Sequence, residues 1–364
     1  VDISQLGASM EHKLKGLTVF IGRFSPFHNG HAAVLKRALQ TSKAVLVLVG
    51  SSGQARNTKN PFTFEERAQM VRNYADRVIA SPKPLLIKPI YDHPYNDQAW
   101  IRGVQEAVDS ACNELVDVIG LNPDVHLTGA DRDKTTWYLH TFGDMFEHDL
   151  VKEHDYGFEL SATQVRDALF GKKEIASTKS IPQTTYYFLE DFLKNPAYEG
   201  LVREYEFIER YKKAWEAAPY APTFVTVDTC VIQSGHVLVN VRDNFPGVGL
   251  WALPGGFLEQ DEKTLDGAIR ELQEETRIEL SKAQLYGAVR SKEIFDHPDR
   301  SLRGRTITTC YLLKLDDSKP LPKVRPQKGE VKKCEWIPIN EALSQTDRWF
   351  EDHWSILQTM VGRV

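Results

Sequence analysis

LTVFIGRFSPFHNGHAAVLKRALQTSKAVLVLVG, residues 17–50, decides how the first half of the chain folds. Leu17 to Ile21 is a short apolar run, and AVLVLVG at 44–50 is a second one bounded by polar residues. Between them Val34, Leu35, Ala38 and Leu39 recur at helical spacing. Continuous apolar runs of this length suit strands buried on both faces, and strand–loop–helix–strand order is a βαβ unit. The pattern therefore predicts a parallel sheet covered by helices, a doubly wound, Rossmann-like α/β domain.

The pattern continues outward from this unit. A helix is expected from Thr63, where Thr63 and Glu66 fit a capping box, and another near 98–111. LLIKPI (85–90) and VDVIG (116–120) are further strand candidates, and SATQVRDALF (161–170) opens with a second capping-box pair, Ser161 and Gln164. Residues 184–217 look helical and polar, and they stop at APYAP, where Pro219 and Pro222 break any helix. Beyond that point strands dominate: FVTVDTCVI (224–232), HVLVNVR (236–242) and TITTCYLLKL (306–315). A helix is expected at 264–276 and another near 340–361. These changes divide the chain into a domain at 16–195, a helical connector with a proline-containing linker at 196–222, and a domain at 223–364.

Composition bounds the function. The 364 residues allow about two domains. A charged share of 26% and a hydrophobic share of 41% are ordinary for a soluble globular protein. The net charge of −5 argues against nucleic acid as a partner. No apolar run approaches the roughly 20 residues of a membrane span. VDISQLGASM has no basic segment followed by an apolar one, so no secretory signal is expected. Cys112, Cys230, Cys310 and Cys334 are scattered, as expected for reduced thiols of a cytoplasmic protein. The sequence leaves a homo-oligomer open.

GRFSPFHNGH (22–31) sits at the carboxyl end of a strand and the start of a helix, where open α/β sheets bind ligands. Gly22 and Gly30 permit close backbone approach, and the first helix amides can donate to an anion. His28 and His31 are three apart, so both can face one phosphate. A helix cap with two surface histidines is the bland reading. The string resembles the HxGH nucleotidyltransferase superfamily. The superfamily's second signature, Ser/Thr-x-Thr-x-x-Arg, is met by Ser161, Thr163 and Arg166. NPFTFEER (60–67), YNDQAW (95–100) and GADRDKTTWYL (129–139) are similar to archaeal-type nicotinamide-mononucleotide (NMN) adenylyltransferases. That resemblance implies that His28, His31 and Arg166 hold the phosphates of ATP, assisted by Gly22, Arg23, Ser161, Thr163 and Mg²⁺. It also implies that Trp100 stacks on the nicotinamide ring near Asp92 and Asn96. A cationic pyridinium suits a tryptophan face. The implied reaction is ATP + NMN → NAD + pyrophosphate.

The second motif is GFLEQDEKTLDGAIRELQEETRI, 256–278. Leu265, Ala268, Ile269 and Leu272 form a core stripe, and Glu271, Glu274 and Glu275 share a neighbouring face. Like charges at this spacing repel, so a solvated acidic face competes with a face that holds a hard divalent cation. The segment resembles the Nudix box at Gly256, Glu262, Arg270, Glu271, Leu272, Glu274, Glu275 and Ile278. Arg277 departs from it, replacing a glycine expected past the helix end with φ > 0. The resemblance implies metal binding by Glu271, Glu274 and Glu275 (Mg²⁺, with Mn²⁺ as an alternative), with Glu274 catalytic and Arg270 orienting the carboxylates. FDHPDRSLRGRTIT (295–308) resembles Nudix hydrolases that cleave ADP-ribose to AMP and ribose 5-phosphate. KGEVKKCEW (328–336) makes Glu330 a further candidate for metal or base duty.

Together the halves resemble the family of bifunctional NMN adenylyltransferases/ADP-ribose pyrophosphatases, whose second domain is an α/β/α Nudix fold with a mixed sheet. Two alternatives stand beside it. One keeps the Nudix half as a non-catalytic ADP-ribose sensor; the other makes the first half a different HxGH adenylyltransferase.

Overall fold

Strand β1 (Lys15–Gly22) lies at the centre of a five-stranded parallel sheet of order β3-β2-β1-β4-β5, with β2 at Ser42–Val49, β3 at Leu85–Pro89, β4 at Val125–Ala130 and β5 at Glu147–Val151. The computed structural model describes residues 14–79, 82–130, 141–142, 145–151, 162–171 and 180–364. Alternation along the strands builds two cores. Leu17, Val19, Ile21, Ala44, Leu46 and Leu48 face one side, and Phe20, Val45, Val47 and Val49 face the other. Helices α1 (Asn29–Thr41) and α2 (Phe64–Val78) cover the second side, and α3 (Asp97–Glu114) covers the first. The α2 capping box forms as expected, with Glu66 N–H on Thr63 Oγ1 and Thr63 N–H on Glu66 Oε2. Ser161, and with it the second predicted capping box, lies outside the described residues.

One predicted strand is a helix. VDVIG forms the short α4 (Val116–Ile119), and the strand comes later, at β4. Val104, Val108, Ala111, Leu115 and Ile119 are all buried, a helical stripe that runs on from α3. Val118 stays exposed. The β-branched residues favour a strand locally, but burial at helical spacing overrides that preference. Strand β4 escapes a pattern reading because VHLTGA buries His126 and Thr128 beside Leu127.

Helix α5 (Ala162–Phe170) adds Val165, Leu169 and Phe170 to the core around α1 and α2. The helical stretch after it divides into α6 (Gln183–Phe192) and α7 (Pro196–Ala214). Pro196 cannot continue α6 but suits the first turn of α7, where Asn195 Oδ1 accepts from the Ala197 amide.

The second unit is a mixed sheet of β6 (Phe224–Gln233), β7 (His236–Arg242), β8 (Trp251–Ala252), β9 (Gly255–Phe257), β10 (Val289–Phe295), β11 (Thr306–Lys314) and β12 (Val331–Pro338). Only β6 and β11 pair in parallel. Helices α8 (Thr264–Thr276) and α9 (Lys282–Ala288) cover one face. The expected terminal helix is two pieces, α10 (Ile339–Ser344) and α11 (His353–Val361), on the other face. Between them the chain straightens at Trp349, which is buried against Trp251 at a ring-centroid distance of 5.7 Å. Among the described residues no helix is long and apolar enough to cross a membrane.

Helix α7 ties the units together. Leu201 and Val202 join the first unit's core, while the buried Glu204 carboxylate accepts from the Gly247 amide at 2.9 Å. Burial raises the pKa of Glu204. A carboxyl whose folded-state pKa is raised contributes stability below its ordinary value of 4.5, and that stability is lost as pH rises through the raised value. Glu204→Gln removes this titration. The stability of wild type relative to the variant should therefore fall steadily as pH rises above 4.5, as read by urea unfolding across a pH series.

Candidate active sites

At the carboxyl end of β1, a cavity of about 1030 Å³ receives Gly22, Arg23, His28, His31, Thr163 and Arg166. His28 is buried and caps α1: its Nδ1 accepts from the Gly30 amide at 3.1 Å, while its own amide donates to His31 Nδ1 at 3.3 Å. The two rings stack, with centroids 3.7 Å apart. Because both Nδ1 atoms accept, the neutral rings carry their proton on Nε2. The cap and the paired histidines are thus one arrangement, and neither ring is a loose surface group.

Arg166 is buried, with Nη1 on the Ser25 carbonyl at 2.6 Å and Nη2 on Thr163 Oγ1 at 3.1 Å. Burial, with the nearby charge of Arg23, lowers its pKa to about 10. Two guanidinium groups held this close make a wall that favours an anion. Across the cavity, Asp92 accepts from Gln54 Nε2 at 2.8 Å. Trp100 lines the same space, with its ring 5.9 Å from Phe142, so one side chain both packs on the core and faces the cavity. Asn96 instead caps α3, accepting from the Ala99 amide at 3.0 Å; the lining position belongs to Asp97. Ser161 and residues 131–139 lie outside the described residues.

Two features of this cavity escaped the sequence reading. Arg67 is almost fully buried and donates to the carbonyls of Arg23 (2.9 Å), Gly50 (2.6 Å), Ser51 (3.3 Å) and Thr63 (3.2 Å). It clamps the ends of β1 and β2 together; its place in NPFTFEER was the available signal. The second unit also supplies part of the wall, including His297 and Asp299, and Asp299 pairs with Lys59 at 3.1 Å. No local pattern predicts that contact.

In the second unit Arg270 organises the acidic helix. Its guanidinium holds Glu262 through Nε (3.0 Å) and Nη2 (2.7 Å), and reaches Glu271 (2.8 Å) and Glu274 (3.0 Å) through Nη1. The hydrogen bonds from Arg270 lower the pKa of Glu262, while burial raises that of Glu271. Glu275 turns inward and accepts from Asn240 Nδ2 (2.8 Å) and the Gly255 amide (2.9 Å); burial pushes its pKa up to about 8. Gly256 leaves room for the Glu271 carboxylate: a Cβ here would sit 2.6 Å from Glu271 Oε1 and push that carboxylate aside. Glu330 is exposed on its loop, and its charge raises the pKa of Glu271. Among the described residues no three His, Cys, Asp or Glu side chains converge as a ready metal cage. Arg277 does adopt the left-handed conformation of the glycine it replaces, with φ 44 and ψ 38 degrees. For a residue with a Cβ that conformation costs about 1–2 kcal/mol.

Known proteins resemble each of the two sites' units. Residues 19–168 match the cytidylyltransferase-like family model and residues 222–360 match the NUDIX domain. Over 190 residues, 51% of this chain, the sequence is 34% identical to a nicotinamide/nicotinic acid mononucleotide adenylyltransferase from Acinetobacter baylyi, covering 92% of that protein. The crystal structure of a bifunctional NMN adenylyltransferase/ADP ribose pyrophosphatase from Francisella tularensis superposes with a TM-score of 0.85 at 35% identity. It covers 95% of this chain and 98% of that one. The same protein complexed with AMP and a manganese ion gives a TM-score of 0.83 at 34% identity, with the same coverage.

The Arg67 clamp is testable without reference to activity. Arg67→Lys keeps the charge but cannot reach four carbonyls on three segments, so buried acceptors lose their donors. Thermal or urea unfolding should show a loss of about 2 kcal/mol; an unchanged midpoint would exclude the clamp.

Proposed function

We propose, since the chain belongs to the family of bifunctional NMN adenylyltransferases/ADP-ribose pyrophosphatases, that its first unit makes NAD from ATP and NMN and its second cleaves ADP-ribose. The observation that carries the first half is one cavity with paired histidines and two guanidinium groups on one side and Trp100 and Asp92 on the other.

In the transferase reaction an NMN phosphate oxygen attacks the α-phosphorus of ATP. A new P–O bond forms, the bond to the bridging oxygen breaks, and pyrophosphate leaves. The nucleophile is already anionic, so no general base is needed. The chain's own contribution is alignment and charge neutralisation. The Nε2–H groups of His28 and His31, with Arg166 and Arg23, meet the ATP phosphates, and the clamp on β1 and β2 keeps their loop in place. Thr163, bonded to Arg166, completes the phosphate site. Trp100 offers its face to the pyridinium, with Asp92 beside it and Asn96 setting the start of the helix that carries Trp100. Mg²⁺ bound with ATP would supply further neutralisation of the phosphate charge.

In the hydrolase, Glu271, Glu274 and Glu275 would supply carboxylate oxygens to a hard divalent cation, Mg²⁺ or Mn²⁺. The fit rests on charge: burial raises Glu271 and Glu275, each is raised further by a neighbouring carboxylate, and Arg270 is shared among Glu262, Glu271 and Glu274, so the carboxylates outnumber it. The ion would supply Lewis acidity at the pyrophosphate and a more acidic water. Arg270 keeps Glu271 and Glu274 aligned, Glu262 anchors Arg270, and Gly256 leaves room for Glu271. Glu330 takes the proton from the attacking water, and the P–O bond that breaks releases AMP and ribose 5-phosphate.

Two substitutions separate the halves. His31→Ala should lower kcat for NAD formation by about 10²–10³-fold while ADP-ribose hydrolysis by the same polypeptide persists. Glu274→Gln should do the reverse, and EDTA should abolish AMP release by wild type. Near-normal NAD synthesis by the histidine variant, or AMP release that survives both EDTA and Glu274→Gln, would overturn the corresponding half.

A further inference from the structure

The segment 91–96 carries Asp92 and leads into the helix of Trp100, yet it is neither helix nor strand. A connection of this kind is normally more mobile than the elements it joins. Here it is gripped by the other domain. The Tyr95 hydroxyl donates to Asp352 Oδ2 at 2.6 Å, and its ring packs on the second unit's core, edge-to-face with Phe295 at 5.0 Å. Asp352 is itself fixed, receiving Arg300 Nε at 3.0 Å and Nη2 at 2.9 Å in a buried, two-point ion pair. Two residues earlier, the His93 ring lies 6.1 Å from the Trp354 ring. Within the segment, the Asn96 amide donates to the His93 carbonyl at 2.9 Å, so these anchors act on one compact turn.

We propose that the C-terminal domain is part of the transferase's pyridine-nucleotide pocket, with Tyr95 as a positioning residue that holds the 91–100 segment, and with it Asp92 and Trp100, through Asp352. This rests on the reading of that cavity as the NMN site. Burial and the Asp352 charge raise the Tyr95 pKa, so the phenol stays a donor across the working pH range. The phosphate side of the cavity hangs on different anchors, Arg67 and the cap of α1. Loosening Tyr95 should therefore act on one substrate and spare the other.

Steady-state kinetics of the full chain test this. Tyr95→Phe should raise KM for NMN about fivefold, the effect of one net hydrogen bond, and leave KM for ATP and ADP-ribose hydrolysis nearly unchanged. Asp352→Asn should move KM for NMN in the same direction. The double variant should be no worse than the more impaired single one, because both substitutions break the same link. If Asp352→Asn, which leaves Arg300 unpaired, does not fold, Tyr95→Phe decides alone. An unchanged KM for NMN in a folded Tyr95→Phe protein overturns the positioning role, as does a uniform loss of kcat, both affinities and midpoint. A wild-type protein that forms no NAD from ATP and NMN overturns the pocket reading and this proposal with it; an active wild type with an unaltered variant overturns only the role of Tyr95.

Discussion

A guanidinium buried where two parallel strands end is the constraint on which the first site depends. Parallel strands β1 and β2 direct their last carbonyls toward the same end of the sheet, and those carbonyls need donors once covered. Arg67 supplies them at Arg23, Gly50 and Ser51, so the loop bearing the histidines is joined to the neighbouring strand's end. Its charge meets no carboxylate in these bonds. Burial lowers its pKa to about 10, which still leaves it protonated at neutral pH. The same residue adds positive potential beneath a cavity already lined by Arg23 and Arg166.

The second site uses arginine in another way. Arg270 sits among Glu262, Glu271 and Glu274, and the raised pKa of the guanidinium reflects those carboxylates. Removing it would leave acidic side chains at helical spacing to repel one another. The carboxylate farthest from its reach, Glu275, is held by neutral donors and is the one pushed up to about 8. One arginine thus prepares a surface for anions, while the other keeps a set of anions in order.

The two units are also less separate than their motifs suggest. Glu204 spans from α7 to Gly247, Lys59 meets Asp299, and Tyr95 reaches Asp352. A buried carboxylate, a partly exposed ion pair and a phenol–carboxylate bond differ in strength, but each fixes orientation between the domains. The cavity of the first unit therefore has a wall from the second.

Much of this was legible in the residues alone. The continuous apolar runs of β1 and β2, the Thr63–Glu66 cap, helix 264–276 and the spacing of Gly256, Glu262, Arg270 and the glutamates are local patterns. Local patterns survive folding because neighbours in sequence stay neighbours in space. VDVIG failed as a strand because its β-branched residues were weighed without the helical stripe that Leu115 and Ile119 complete. Strand β4 was missed because half its buried residues are polar. The sequence by itself determined the two chemistries and the elements that bear them. Only the tertiary structure decided that Arg67 clamps two strand ends and that Tyr95 and Asp352, 257 positions apart, meet in one hydrogen bond. Such contacts are set by how helices and sheets pack across a boundary, and no periodicity along the chain encodes that distance.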